Sequence, residues 1–472
     1  MEVPIKRRPR ALYLGCGLFL LLPIVLVVAV LSFVLGREWN ARRELQDRLS
    51  QLAAQGMPID NQSLSQWYGD HSSSGDSAAW MALLQKLDSQ DFGQSLKGVP
   101  ILSSENELPS HAFAPWPEEQ IARDFLKRWQ FELDTAIELS KKGQPVRFPR
   151  AFDSFRTLLP EVQGMRTVAR LVQLESQLAI RDKNSKKVAE CIAALNGCAR
   201  TLDGDALLIS SLVSIAIDGI AIDTLRRALE ADVLETPELL ELKDRMLENC
   251  AITERWHAAI IGERAMGLPA FSDPDVLGET GVPLLPARSK DMLFYLDIMQ
   301  QVLDAPTDDL DQMLSSLKTI ESELSQDVGW LRRFDTLLSC TVLPAVNGAG
   351  TAFVRHVSQH RLAVLAIGLR LHSHSTGAFP QTLADLKAST NLDFTTLLPT
   401  GGKPFGFQLD PSGESCVIWG VSPRNGGAVG PQPPTLDPAD PQSFQDVPWI
   451  WKMRLDGQPD PASSIDKMEA NP

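Results

Sequence analysis

Four of the seven histidines, His356, His360, His372 and His374, fall within nineteen residues of one another. On a helix, an i, i+4 pair such as His356 and His360 presents two imidazoles to one metal ion, and His372-x-His374 could add donors beyond it. The surrounding text does not complete a known motif. Val357 stands where a zinc protease helix carries glutamate, the sequence places no acid beside the pair, and His372 lies about three helical turns past His360. The bland reading is an exposed helix face followed by a loop. No metal or other cofactor is therefore assigned, and His356 and His360 are the residues nearest to a metal candidate.

Other pairings are equally incomplete. Glu254-Arg255-Trp256-His257 has the E-x-x-H spacing of di-iron bundles, but those need two copies and two further glutamates, and only one copy occurs here. A surface pair or a helix contact is expected instead. Asp218 and Asp223 lie on a strongly apolar stretch, yet five residues place them about 140° apart, so they do not share a helix face. Capping a neighbouring helix, or pairing with Arg226 or Arg227, is expected of them. Gly348-Ala349-Gly350 lacks the strand, the third glycine and the lysine of a phosphate loop and reads as a hinge or cap. There is no G-x-S-x-G, no Walker loop and no Cys-x-x-Cys, and no catalytic residue is assigned.

The elements that would position these residues are helical. Ser77 to Leu87 reads as a short helix. Pro117-Glu118-Glu119 opens another that Lys141-Lys142-Gly143 closes, with Ala122, Phe125, Leu126, Trp129, Leu133, Ala136 and Ile137 as its apolar stripe. Met165, Val168, Ala169, Val172 and Leu178 mark one amphipathic helix and Val188, Cys191, Ile192, Leu195 and Ala199 the next. The break at Arg181-Asp182-Lys183-Asn184 makes them an antiparallel hairpin. Ala206 to Ile222 is apolar enough to be mistaken for a membrane span, but Ser210, Ser211, Ser214 and Asp218 interrupt it, and a buried core helix is expected. A long helix follows from Thr236 to about Gly267, and another from Thr307 to about Phe334. Phe405 to Leu409 and Cys416 to Trp419 then alternate as strands about the turn Asp410-Pro411-Ser412-Gly413, with Val447 to Trp451 as a possible edge strand.

The expected fold is mainly α: an N-terminal transmembrane helix, a multi-helix ectodomain with antiparallel hairpins, and a small C-terminal β-hairpin or sheet. Its segments are a cytoplasmic lead 1–10, an anchor 11–35, a stalk and irregular stretch 36–116, a helical domain 117–345, a C-terminal helix with the β module 346–455, and a mobile tail 456–472. The anchor follows from a run without charge between Arg10 and Arg37. About 24 helical residues cover roughly 36 Å, enough for a hydrocarbon core of about 30 Å. The run is longer than a signal peptide's apolar region and lacks its cleavage pattern. Basic residues flank it on both sides. The tight cluster Lys6, Arg7, Arg8 and Arg10 favours the N-terminus inside, which puts the bulk of the chain outside the cytoplasm, on a single-pass inner-membrane anchor.

With 59 acidic against 45 basic residues the formal charge is −14, and no basic patch offers a nucleic-acid footprint. Of six cysteines, Cys16 lies in the apolar run, leaving five at irregular spacing, so a disulfide framework is not expected. Cys191 and Cys198 are about 10 Å apart along one helix, too far to bridge.

From Arg361 onward a family pattern emerges. Gly377-Ala378-Phe379-Pro380-Gln381-Thr382-Leu383-Ala384-Asp385-Leu386, Gly402-Lys403-Pro404-Phe405 and Val417-Ile418-Trp419-Gly420-Val421-Ser422 resemble the C-terminal module of a family of planctomycete-type bacterial single-span membrane proteins. Arg147-Phe148-Pro149, the Leu207 to Ala216 run and Gly262-Glu263-Arg264-Ala265 resemble its helical body. The resemblance implies a membrane-anchored helical protein but no activity. The C-terminal module is also similar to the globular end of type II secretion pseudopilins, whose terminal loop binds calcium. Arg424, Asn425 and Thr400-Gly401-Gly402 replace the calcium-binding pattern here. The expected role is an interaction or scaffold component of the cell envelope without catalysis, in contact with the bilayer through 11–35 and with envelope protein partners. A pseudopilin-like secretion component is the first alternative and an unrecognised hydrolase the second.

Overall fold

The computed structural model describes residues 36–71, 76–103, 107–154, 156–271, 288–325, 336, 339, 344–390, 397, 404–420 and 449–458. The lead 1–10, the anchor 11–35, the tail beyond Gln458 and the replaced calcium positions Thr400 to Gly402, Arg424 and Asn425 lie outside them.

The described chain is mainly helical, with one small antiparallel sheet. Helix α1 covers 36–54. It is followed by α2 (Asn61–His71), α3 (Ser77–Leu87), α4 (Gln90–Ser95), α5 (Glu119–Arg128), α6 (Gln130–Lys141), α7 (Pro160–Arg181) and α8 (Ser185–Arg200). Then come α9 (Leu208–Glu230), α10 (Thr236–Glu248), α11 (Thr253–Ala270), α12 (Arg288–Leu303), α13 (Leu310–Ser325), α14 (Pro344–Thr376) and the short α15 (Leu386–Thr390).

Local chemistry explains the best-marked helices. Pro160 and Glu161 start α7 and Arg181 ends it, where cation and helix dipole agree. The turn needs Lys183 at φ 53°, and Asn184 then caps α8 by accepting from the Lys187 N–H at 3.1 Å. Two expected single helices are broken. The stripe from Ala122 to Ile137 is wholly buried, but Trp129 at φ −106°, ψ 25° divides it into α5 and α6. The long helix expected from Thr236 is interrupted between Glu248 and Thr253, where Asn249 turns into the interior at 2% exposure. Gly348 and Gly350 form no hinge or cap. They lie within α14, where a Cβ on Gly350 would overlap the Leu317 side chain of α13.

Strands β1 (Gly406–Leu409), β2 (Ser415–Gly420) and β3 (Trp449–Arg454) form an antiparallel sheet in that order, with Leu409 opposite Cys416 and Ile418 opposite Trp451. The Asp410 to Gly413 turn closes with Gly413 N–H donating to the Asp410 carbonyl at 2.8 Å, and Gly413 takes φ +76°, a conformation that costs glycine little.

Three large apolar clusters organise the body. The first combines α3 to α8 with the leading half of α9. The second joins the trailing half of α9, α10, the end of α14 and the sheet through Phe405, Ile418 and Trp451. The third brings α11, α12, α13 and the start of α14 together with Leu45 of α1. Helix α9 is the one described helix long and apolar enough to cross a membrane, at 23 residues, but most of its apolar window is buried inside the body. Residues 36–54 are helical as expected of a stalk, yet Ala41 and Leu45 are buried and Arg48 pairs with Asp297 of α12 at 2.8 Å.

Candidate functional site: a buried Asp-His-His cluster

Where the three apolar clusters meet, the interior turns polar. His356 and His360 project from the middle of α14 at 1% and 0% exposure, against the expected exposed face. The acid absent from their sequence neighbourhood comes from α9: Asp218 is 1% exposed, and one donor atom from each of the three residues lies within 4.8 Å of the others. The Asp218 Oδ2 is 3.9 Å from His356 Nε2, and the two imidazole centroids are 4.3 Å apart. Arg226 pairs instead with Asp223 and Glu230, and Arg227 with Asp223, so the expected partners of Asp218 are engaged elsewhere.

Neighbouring helices hold each group. Asn196 of α8 donates from Nδ2 to Asp218 Oδ1 at 2.9 Å, while its own Oδ1 is buried with no hydrogen-bond partner. Arg200 donates to Asn249 Oδ1 at 3.0 and 2.8 Å, which aims the Asn249 Nδ2 at His360 Nε2, 3.3 Å away. An amide N–H needs an acceptor there, so His360 carries its proton on Nδ1 and donates it to the His356 carbonyl at 3.0 Å. By the same logic His356 donates from Nε2 to the Asn249 carbonyl at 3.1 Å. Arg255 of α11 completes the group, 3.1 Å from Asp203 and 3.9 Å from Asp218.

Burial sets the charges. Removal from water disfavours the ionised forms, pushing the Asp218 and Asp203 carboxyls each up to about 6, with Arg255 opposing the shift. The same desolvation holds His356 well below its ordinary value, helped by His360 and Arg255, and lowers His360 to about 4. At neutral pH the cluster is two carboxylates, one guanidinium and two neutral imidazoles. That is a donor set suited to a first-row transition metal.

The remaining sequence candidates do not join it. His374 lies at the end of α14, where its Nε2 is 3.0 Å from Asp232, and His372, two residues before it, points to the opposite side of the helix. Glu254 is exposed and His257 half-buried, flanking the buried Arg255 and Trp256. The residues that sequence reasoning missed are Asn196, Asn249 and Arg255. The only signal for them was the polarity of Asn196 and Asn249 within otherwise apolar helical text, since contact across α8, α9, α11 and α14 leaves no mark on spacing.

A second feature is a cavity of about 560 Å³ where the α9–α10 connection meets the end of α14 and the residues after β3, lined in part by Lys183, Asp232, His374 and Asp456. No family model, curated protein or solved structure matches the chain.

Proposed function

We propose that the protein is a membrane-anchored, extracytoplasmic helical scaffold of the cell envelope that holds partner proteins at a fixed place near the bilayer. The observation that carries this reading is the docking of α1, which follows the apolar run 11–35 directly. Leu45 of α1 enters the same apolar cluster as Trp256, Tyr295 and Leu317. Glu38 accepts from both the N–H and the hydroxyl of Ser289, at 3.1 and 2.6 Å. A freely hinged tether would leave the body to wander, whereas a helix packed along its length transmits the position of the anchor to the whole ectodomain. Trp39, 65% exposed near the start of α1, suits the lipid headgroup level, where an indole has both an apolar face and a polar edge to satisfy.

Two measurements test the reading together. The full-length protein should stay in the membrane pellet through an alkaline wash, and should lose that retention when Leu22, Leu26 and Val30 are replaced by arginine. Mild crosslinking in native membranes, followed by purification and mass spectrometry, should return other envelope proteins in near-stoichiometric yield. Recovery of the chain alone across several detergents would overturn the scaffold, and recovery of secretion subunits would replace it with the pseudopilin-like role.

A further inference from the structure

We propose that Asp218, His356 and His360 form a structural site for a divalent transition metal of the zinc class, which ties α9 to α14 at the centre of the body. Three observations converge. The first is the ligand set: two imidazoles and one carboxylate whose donor atoms lie within 4.8 Å of one another, on two different helices. Zinc bonds of about 2.0 to 2.2 Å to such donors place the atoms of one coordination sphere some 3.3 to 3.6 Å apart, so a modest contraction brings the three together.

The second observation is the support behind the ligands. His360 Nδ1–H donates to the His356 carbonyl, which leaves the Nε2 lone pair facing the cluster with only the 3.3 Å contact from Asn249 to displace. Asn196 pins one oxygen of Asp218 at 2.9 Å and leaves the other toward His356. Such outer partners fix tautomer and orientation in metal sites and are what a loose cluster of polar residues lacks. The third is the Asn196 Oδ1, an acceptor on a residue that is 0% exposed and has no hydrogen-bond partner. A buried acceptor without a donor costs about 1 to 3 kcal/mol, and a cation beside Asp218 would satisfy it, with Asn196 Oδ1 as the fourth ligand and second oxygen donor.

Two features oppose binding and set what must change. Arg255 stands 3.9 Å from Asp218 and competes for its charge, but it also pairs with Asp203 at 3.1 Å and can keep that partner. His356 must carry its single proton on Nδ1 instead of Nε2 as the metal enters, giving up the 3.1 Å bond to the Asn249 carbonyl while the ring stays neutral. Binding is thus an exchange of two hydrogen bonds, one at each imidazole, for three metal bonds, with no net change in protonation. The three ligands are each at most 1% exposed, so the role of the site is to fix helices rather than to activate water.

The test uses the full-length protein in detergent, stripped with a chelator and then offered zinc or cobalt chloride. The expected result is one bound metal per chain by elemental analysis, a thermal midpoint that rises with free zinc, and a tetrahedral cobalt spectrum. His360→Gln and Asp218→Asn should each weaken binding by roughly a hundredfold or more, while His374→Gln binds as the parent does. The midpoint rise of the unsubstituted protein is read without any variant, so a variant that fails to fold does not decide the question. A folded, stripped protein that takes up neither metal overturns the site, as does equal binding by folded His360→Gln and Asp218→Asn.

Discussion

At the scale of single residues, the largest energetic stakes lie with charges removed from water. Arg150, with its side chain 1% exposed, bonds both Glu161 of α7 and Asp205 ahead of α9, and its guanidinium lies 5.4 Å from the Tyr68 ring centroid. Removing one member of a buried charge group strands the others, at a cost of about 3–5 kcal/mol. Arg150→Ala should therefore lower the urea midpoint sharply, whereas a loss below ~1 kcal/mol would mean that Glu161 and Asp205 gain water. Glu263 gives the pH dependence. Desolvation raises its carboxyl to about 7 from an ordinary 4.5, against one stabilising backbone N–H bond from Leu208. Below pH 4.5 both folded and unfolded chains hold this proton. Between 4.5 and 7 only the folded chain does, so this contribution to stability is lost as pH rises through that window. Glu263→Gln should then stabilise the protein at pH 8 by on the order of 2 kcal/mol and leave it unchanged at pH 4; equal midpoints at pH 8 would refute the burial argument.

At the scale of elements, the close approach of helices depends on a few glycines. A Cβ on Gly197 of α8 would overlap the Ser140 carbonyl at the end of α6, and one on Gly262 of α11 would overlap the Ala206 carbonyl before α9. Both obstacles are backbone, which cannot rotate away. Gly197→Ala and Gly262→Ala should each destabilise by about 1–3 kcal/mol through forced separation of the elements, despite the better helix propensity of alanine. Gly219, with open space around it on α9, is the control: Gly219→Ala should be neutral or stabilising in the same denaturation series. The cysteines follow the same packing. Cys191 and Cys198 are fully buried on α8 and their thiols are pushed up, Cys198 to about 12, so alkylation of the native protein should reach Cys250 before either.

At the scale of the whole molecule, the two longest packed helices carry the integration. Helix α14 contributes Phe353 and Val357 to the cluster with α11 to α13, and Leu362 to Leu371 to the cluster with α9, α10 and the sheet. The helical body and the strands at the C-terminal end therefore share core residues. Helix α1, which follows the apolar run 11–35 in the sequence, joins the same core through Leu45. Leu45→Asp should detach α1 while sparing the cores around α7, α8 and the sheet. Limited proteolysis would then cut within 36–54 in the variant and not in the parent; resistance in both would show that α1 stays docked without its apolar contact.

Periodicity and end signals made much of this protein legible from its residues. The bounds of α3, the stripe of α5 and α6, the α7–α8 pair and the β1–β2 turn all follow from patterns within a dozen residues, because amphipathic spacing, proline starts and turn residues act locally. The two helix breaks were not legible. Trp129 and Asn249 are ordinary residues for a helix, and only packing against other elements favours interrupting the chain there. The cluster shows the same division. The i, i+4 spacing of His356 and His360 was visible, but their burial, and the arrival of Asp218, Asn196, Asn249 and Arg255 around them, was not. Sequence by itself determined the helical class, the strand pairing and the apolar run near the N-terminus. Tertiary structure alone decided which polar residues meet, since desolvation and contact across four helices are properties of the assembled core and leave no period in the chain.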